Sequence, residues 1–186
     1  MPRKLILAFL AMVLAFAMTA AAQQGTGLSS ATRDERSVYT DDDVRRSQPR
    51  DSQIGEIEGL ETQCFNEVNR LRVAHGLSAL AFNEGLLRVA RDYSRRMAEE
   101  KFFSHNDPNG NTVRERVSDA HIRWRVLGEN LAYSNGYINP VAVSLTGWLD
   151  SPGHRRNLLD QMWQQTAIGV WISANGTVYF TQIFMV

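Results

Sequence analysis

Only part of this 186-residue chain has the spacing of apolar residues that a folded core requires. From Glu56 onward, apolar side chains recur at three- and four-residue intervals, beginning with Ile57 and Leu60, and this spacing predicts an amphipathic helix. Apolar residues make up 44% of the whole chain, which is enough for one core. Residues 56–186 are therefore predicted to form a single domain.

The first 22 residues have the pattern of a secretory signal peptide. Arg3 and Lys4 precede an apolar run over residues 5–18, and three alanines at 20–22 provide a cleavage site. The alternative, a transmembrane anchor, is disfavoured because the run is shorter than the roughly 20 residues that span a bilayer. We expect a mature chain that begins at Gln23, has no transmembrane segment and is secreted, extracellular or periplasmic.

Residues 23–55 separate the signal from the domain. Only six of these 33 residues are apolar, whereas eleven are charged. Such a segment cannot bury enough apolar surface to offset the entropy lost on ordering, so it is predicted to be a disordered polar linker.

Charge and cysteine content exclude two classes of protein. The chain has 20 basic and 20 acidic residues, so it lacks the basic excess typical of proteins that bind nucleic acids. Cys64 is the only cysteine, which rules out a disulfide framework within the chain. Because Cys64 shares a predicted helix face with Val68, we expect a buried thiol. Pairing with another molecule is the alternative.

Helix-capping and turn-forming residues indicate where the elements of the domain begin and end. The first helix is expected to end near Gly76, and the second to end near Lys101. Asn83 is predicted to cap the start of this second helix. Three later helix starts are predicted at Thr112 with Glu115, Asn139-Pro140 and Ser151-Pro152.

Three apolar segments are predicted to be strands, over residues 127–133, 168–173 and 177–184. Asn175-Gly176 between the last two is a strong hairpin signal. This order of elements predicts an α+β fold in which helices pack on a small antiparallel sheet.

Three side chains are candidates for chemistry. His154 is expected in the first turn of a helix, where the helix dipole disfavours imidazolium and keeps the ring neutral, as a metal ligand or general base requires. The alternative is a histidine that caps or packs. His105 leaves a helix beside a turn and faces either a cleft or solvent, and Glu129 precedes an apolar strand and needs partners if buried. Their spacing matches no short zinc motif.

Five segments in order carry a family resemblance. They are Asn69-Arg70-Leu71-Arg72 with Gly76-Leu77; Phe103-Ser104-His105; Gly128-Glu129-Asn130-Leu131-Ala132; Trp148 with Ser151-Pro152-Gly153-His154-Arg155 and Asn157; and Ile168-Gly169-Val170 with Tyr179-Phe180-Thr181-Gln182. The chain resembles bacterial members of the CAP superfamily, which includes cysteine-rich secretory proteins, insect venom antigens and plant pathogenesis-related proteins. The resemblance covers about residues 57–186.

The resemblance implies an α-β-α sandwich with an antiparallel sheet between helical layers. It also implies a cleft in which histidines and acidic residues bind zinc or another divalent cation. His105, Glu129 and His154 match those motif positions and are the predicted metal ligands. Many bacterial relatives have a glutamate where this chain has Ala167, so any role of that carboxylate is absent here.

Three functions are consistent with these residues. The first is a secreted binding module for a lipid or sterol, a cell-envelope component or a protein, with no catalytic cycle. The second is an extracellular hydrolase that uses either a metal or a serine such as Ser104. In the third, His105, Glu129 and His154 only support the fold.

Overall fold

The computed structural model describes residues 51–186, so the predicted signal peptide and most of the predicted linker lie outside the described residues. The five helices in this range are α1 Asp51–Ala74, α2 Glu84–Glu99, α3 Val113–Asp119, α4 Pro140–Asp150 and α5 Pro152–Leu159. The four strands are β1 Ala81–Phe82, β2 Leu127–Ser134, β3 Gln165–Ile172 and β4 Val178–Met185. Helix α1 thus begins five residues before the predicted domain boundary at 56. None of the helices within residues 51–186 could cross a membrane.

Side-chain caps explain where most helices begin. The Asn83 side chain accepts the backbone N–H of Leu86 at the start of α2, and Thr112 and Glu115 form a complete capping box at the start of α3. Asn139 caps α4 in the same way, so these three predictions are confirmed. Ser151 makes no side-chain cap bond to α5, whose first residue is Pro152. Proline at this position has a fixed φ that suits a helix start.

The sheet has the strand order β1-β3-β4-β2. Strands β2, β3 and β4 are antiparallel as predicted, and Gly176 has a φ of +80° in the hairpin between β3 and β4. The two-residue strand β1 pairs in parallel with β3 and was not predicted, because two residues are too few to show a period.

Helices cover both faces of the sheet. On one face, Ile168, Val170, Phe180 and Phe184 belong to a core that also contains Val68 of α1, Trp148 of α4 and Leu158 of α5. On the other face, Ala167 and Ile183 pack with Leu86 and Ala90 of α2. Successive side chains of a strand therefore point to helices on opposite faces of the sheet. The predicted α+β class and α-β-α layering are confirmed.

Helix α2 lies unusually close to the sheet at Gly169 of β3. A Cβ added there would lie 2.0 Å from the backbone nitrogen of Arg91. Ser94 of α2 donates its hydroxyl to the carbonyl of Gly169 at 2.9 Å. This contact fixes α2, and with it the start of the loop that carries His105.

Helix α1 is held by buried groups. Cys64 is a free thiol with no exposed surface, so the predicted burial is confirmed. Arg72 is also fully buried, and its guanidinium donates to the carbonyl oxygens of Leu158 and Asp160 at 2.7 and 2.9 Å. Arg72 thereby joins α1 to the end of α5.

Candidate functional site

The loop that follows α2 carries His105 and is held at both ends. Before it, the Tyr93 hydroxyl donates to the carbonyl of Ser104 at 2.6 Å. After it, the buried Asp107 accepts hydrogen bonds from the backbone N–H groups of Asn109 and Asn111, both at 2.9 Å, which confirms the predicted turn. Within this frame the His105 side chain is 54% exposed.

Glu129 lies on β2 and points to the same side of the sheet as α2. Its side chain is only 4% exposed, and Oε1 lies 2.8 Å from Nδ1 of His105. Oε2 accepts a hydrogen bond from the guanidinium of Arg116. A buried carboxylate needs hydrogen-bond partners, and here both of its oxygens have one.

Arg116 of α3 completes this arrangement. Its guanidinium carbon lies 3.4 Å from the centroid of the Tyr93 ring, a cation–π contact. One of its nitrogens donates to the carbonyl oxygens of His105 and Asn111, each at 3.1 Å. Sequence reasoning missed Arg116, since one arginine in a charged helix cannot be told from its exposed neighbours. The one available signal was its position directly after the Thr112–Glu115 capping box, one turn from the N-cap.

His154 reaches the site from the opposite layer of the sandwich. It lies on α5, and its ring centroid is 6.3 Å from that of His105, with the ring planes inclined at 45°. Burial lowers the pKa of His154, and the nearby His105 lowers it further. Both effects favour the neutral form of the ring, which is the form that binds a metal ion.

Two asparagines connect α5 to β2. The Asn130 side chain donates to the carbonyl of His154 at 3.2 Å. The Asn157 side chain donates to the carbonyl of Glu129 at 3.1 Å and to Oδ1 of Asn130 at 3.0 Å. These bonds fix the backbones of Glu129 and His154 relative to each other, so the two histidines approach across the edge of the sheet.

The donor set can be compared with the needs of a divalent cation. Within residues 51–186, no three His, Cys, Asp or Glu side chains are grouped in a way that could hold a metal ion. Two rings bound to one zinc, with Zn–N bonds of about 2.0–2.1 Å, have centroids roughly 5–6 Å apart. The His105 and His154 centroids are 6.3 Å apart, so the two rings would have to move slightly closer to share one ion. Glu129 behind His105 reproduces the carboxylate that commonly orients a metal-ligating histidine.

The other candidates are not part of this arrangement. The Ser104 hydroxyl accepts the backbone N–H of Asn106 at 3.1 Å. His75 at the end of α1 places Nδ1 2.9 Å from the carbonyl of Leu71. His121 is an exposed residue with a positive φ of 57° after α3. The structure thus brings together His105, Glu129 and His154 and leaves these side chains outside.

The geometry defines a class of protein: an α-β-α sandwich with a two-histidine cleft at the open edge of its sheet. Residues 65–184 match the cysteine-rich secretory protein (CAP) family, and the chain belongs to that family.

Two proteins of one bacterium are similar to this chain in sequence. The chain is 34% identical over 126 residues to the membrane protein YlbC of Bacillus subtilis (strain 168), and 29% identical over 126 residues to YkwD of the same organism. These matches cover 67% and 68% of this chain but only 34% and 47% of those relatives, so the chain spans less than half their length.

A solved structure is also similar. The chain superposes with a TM-score of 0.66 on an extracellular protein containing an SCP domain from Bacillus anthracis. The sequence identity is 29%, and the match covers 74% of this chain and 44% of that one.

Proposed function

We propose that this CAP domain is a secreted binding module whose cleft takes up zinc or another divalent cation at His105 and His154. One observation carries the proposal. The ring centroids of His105 and His154 lie 6.3 Å apart, and Nδ1 of His105 is hydrogen-bonded to the Glu129 carboxylate. That bond directs Nε2 of His105, rather than Nδ1, toward a ligand. Glu129 contributes by orienting His105, since both of its oxygens are already engaged.

Secretion is supported by two independent observations. The first 22 residues have the signal-peptide pattern, with an apolar run and a small-residue cleavage site. The structurally similar Bacillus anthracis protein is described as extracellular. An extracellular or periplasmic location also makes lipid, cell-envelope or protein ligands the relevant partners.

The geometry favours binding over hydrolysis. A bound zinc with only two protein donors would keep positions open for water and could lower the pKa of that water. A hydrolase also needs a base that can receive a proton, and the Glu129 oxygens are occupied by His105 and Arg116. For the serine version, the Ser104 hydroxyl is turned to the backbone of Asn106.

Calorimetric titration of the full-length protein with zinc near neutral pH tests the proposal. We expect one-to-one binding that is lost in His154→Ala. His75→Ala is the matched control, because this histidine lies at the exposed end of α1. Absence of binding by the unmodified protein, or equal binding by His154→Ala, would overturn the metal site.

A further inference from the structure

Beside the histidine cleft, two cavities meet at one pair of aromatic rings. The first cavity, of about 340 Å³, lies between β2 and α4 and extends to His154. The second, of about 570 Å³, lies near the β3–β4 hairpin and includes Lys101, Asn175 and Tyr179. Phe103 and Tyr133 line both cavities, so the two cavities adjoin at these rings. The two cavities together are called the trough, and the Phe103 and Tyr133 rings are called its ridge. Each volume falls in the range of about 300–1,000 Å³ typical of small-ligand sites.

The rings of the ridge contact one another and are exposed to solvent. The Phe103 and Tyr133 rings are in contact edge to face at 4.8 Å, and Tyr133 stacks on Tyr179 at 5.9 Å. Tyr133 is 57% exposed and Phe103 is 45% exposed. Large exposed rings in a concave surface mark an interaction site, because the fold gains little from leaving them in water.

Most of the polar groups around these rings are uncharged. Ser144 lines the first cavity and is 3% exposed, and its buried hydroxyl has no hydrogen-bond partner among residues 51–186. Ser151 lines the same cavity, and Ser173 and Asn175 line the second. Apart from tyrosines, Lys101 and His154 are the only ionisable groups among the described residues that line the trough, and no carboxylate does.

The strand edge beneath the trough is closed to an extended peptide. The carbonyl of Glu129 already accepts the Asn157 side chain, and the carbonyl of Leu131 accepts Nε1 of Trp148 at 2.9 Å. A peptide that added a strand to β2 would need these carbonyls as acceptors. The trough therefore offers rings and hydroxyl groups, but not a free backbone ladder at these two residues.

From these observations we propose that the trough binds a short neutral oligosaccharide. A pyranose ring carries C–H groups on its face, which complement the negative face of an aromatic ring, and hydroxyl groups on its edge. One sugar unit would lie on the Phe103–Tyr133 ridge, with neighbouring units in the two cavities. This inference rests on the proposed function, since it names the class of ligand that the secreted module would bind next to its histidines.

The test is a titration of the full-length protein with chitotetraose, cellotetraose and maltotetraose, followed by saturation-transfer and chemical-shift NMR. We expect at least one of them to bind, and Tyr133→Ala or Phe103→Ala to weaken that binding by about tenfold. Tyr133→Phe keeps the ring and should bind within about threefold of the unmodified protein. Phe82→Ala is the matched control, because Phe82 is a 49% exposed ring on β1, at the other edge of the sheet.

Three outcomes would overturn the proposal: binding of none of the three sugars, binding that Tyr133→Ala and Phe103→Ala leave unchanged, or binding that Phe82→Ala removes equally.

A further arm uses vesicles of phosphatidylglycerol and phosphatidylethanolamine, since Tyr137 and Ile138 are exposed on the loop after β2. Vesicle binding that needs Tyr133, without sugar binding, would assign the ridge to a membrane instead. Zinc titration of Tyr133→Ala separates the two proposals: retained zinc binding with no sugar binding would overturn only this inference.

Discussion

Nδ1 of His105 lies 2.8 Å from Oε1 of Glu129, and this contact joins a half-exposed histidine on a loop to a buried carboxylate on the edge strand. The carboxylate is held from behind by Arg116, so the ring of His105 has a fixed direction despite its exposure. A fixed imidazole loses less entropy when it binds a ligand. The contact is the central structural reason for regarding the cleft as a binding site.

The first prediction concerns Glu129→Gln. The amide keeps the size of the side chain but removes the negative charge that orients His105. We therefore expect zinc affinity to fall by about 10–100-fold, the usual effect of losing such a partner. Calorimetry measures this fall. The control is Glu84→Gln, which removes an exposed glutamate paired with Arg88 at 3.7 Å and should bind zinc normally. Unchanged affinity in Glu129→Gln would show that His105 does not depend on this carboxylate.

The second prediction concerns the close approach of α2 to the sheet. Gly169→Ala places a methyl group 2.0 Å from the backbone nitrogen of Arg91, and a backbone atom cannot move aside as a flexible side chain can. We expect the free energy of unfolding to fall by about 3 kcal/mol or more. Denaturant unfolding followed by circular dichroism measures the change.

A matched glycine serves as the control for that experiment. Gly147 lies within α4, and a Cβ there would meet nothing within 4 Å. Gly147→Ala should leave stability unchanged or raise it by up to about 1 kcal/mol, because alanine favours the helix. Equal stability of the two variants would contradict the packing described for Gly169.

The third prediction concerns acid stability. Burial alone would raise the pKa of Asp107, but hydrogen bonds from Arg96 and Asn111 outweigh it and lower the pKa from 3.8 to about 2. Since the folded state lowers this pKa, the carboxylate contributes stability above its ordinary pKa, and that contribution is lost as the pH falls from about 4 to about 2. Asp107→Asn should be less stable at neutral pH and should lose less of its remaining stability over that interval.

Thermal unfolding between pH 7 and pH 2 tests this expectation. Asp119→Asn, at an exposed position on α3, should follow the unmodified protein throughout. A pH profile for Asp107→Asn that runs parallel to that of the unmodified protein would rule out the proposed role of Asp107.

The fourth prediction concerns Cys64. Burial raises the pKa of this thiol well above its ordinary range, and the nearby Glu67 raises it further. Because the thiolate is the reactive form, the native protein should not react with a thiol reagent at pH 8, whereas the protein in denaturant should react once per chain. Rapid labelling of the native protein would mean that α1 opens readily from the sheet.

The local sequence signals located most of the fold. Asn83, Thr112 and Asn139 act as caps because a side chain and a backbone N–H only three residues away determine such a bond. The start of α1 at Asp51 was not predicted, because residues 51–55 are mostly polar and carry no helical period. Part of what holds these residues is a long-range bond from the Gln53 side chain to the carbonyl of Ile172.

The site was predictable only in part. The family motifs identified His105, Glu129 and His154, but spacing along the chain did not indicate that Arg116 would reach Glu129 and stack on Tyr93. Nor did it indicate the cause of the low pKa of His154, which is burial and the neighbouring His105. Both features depend on elements that meet only in the folded domain.

The most direct test of the central claim is NMR of the histidine side chains during addition of zinc to the full-length protein. The chain has four histidines, so His75 and His121 serve as internal controls. We predict that the ring signals of His105 and His154 shift together with one equivalent of zinc, while those of His75 and His121 stay in place. If the ring signals of His105 and His154 do not move, or if all four histidines shift alike, the two-histidine cleft is not a specific metal site.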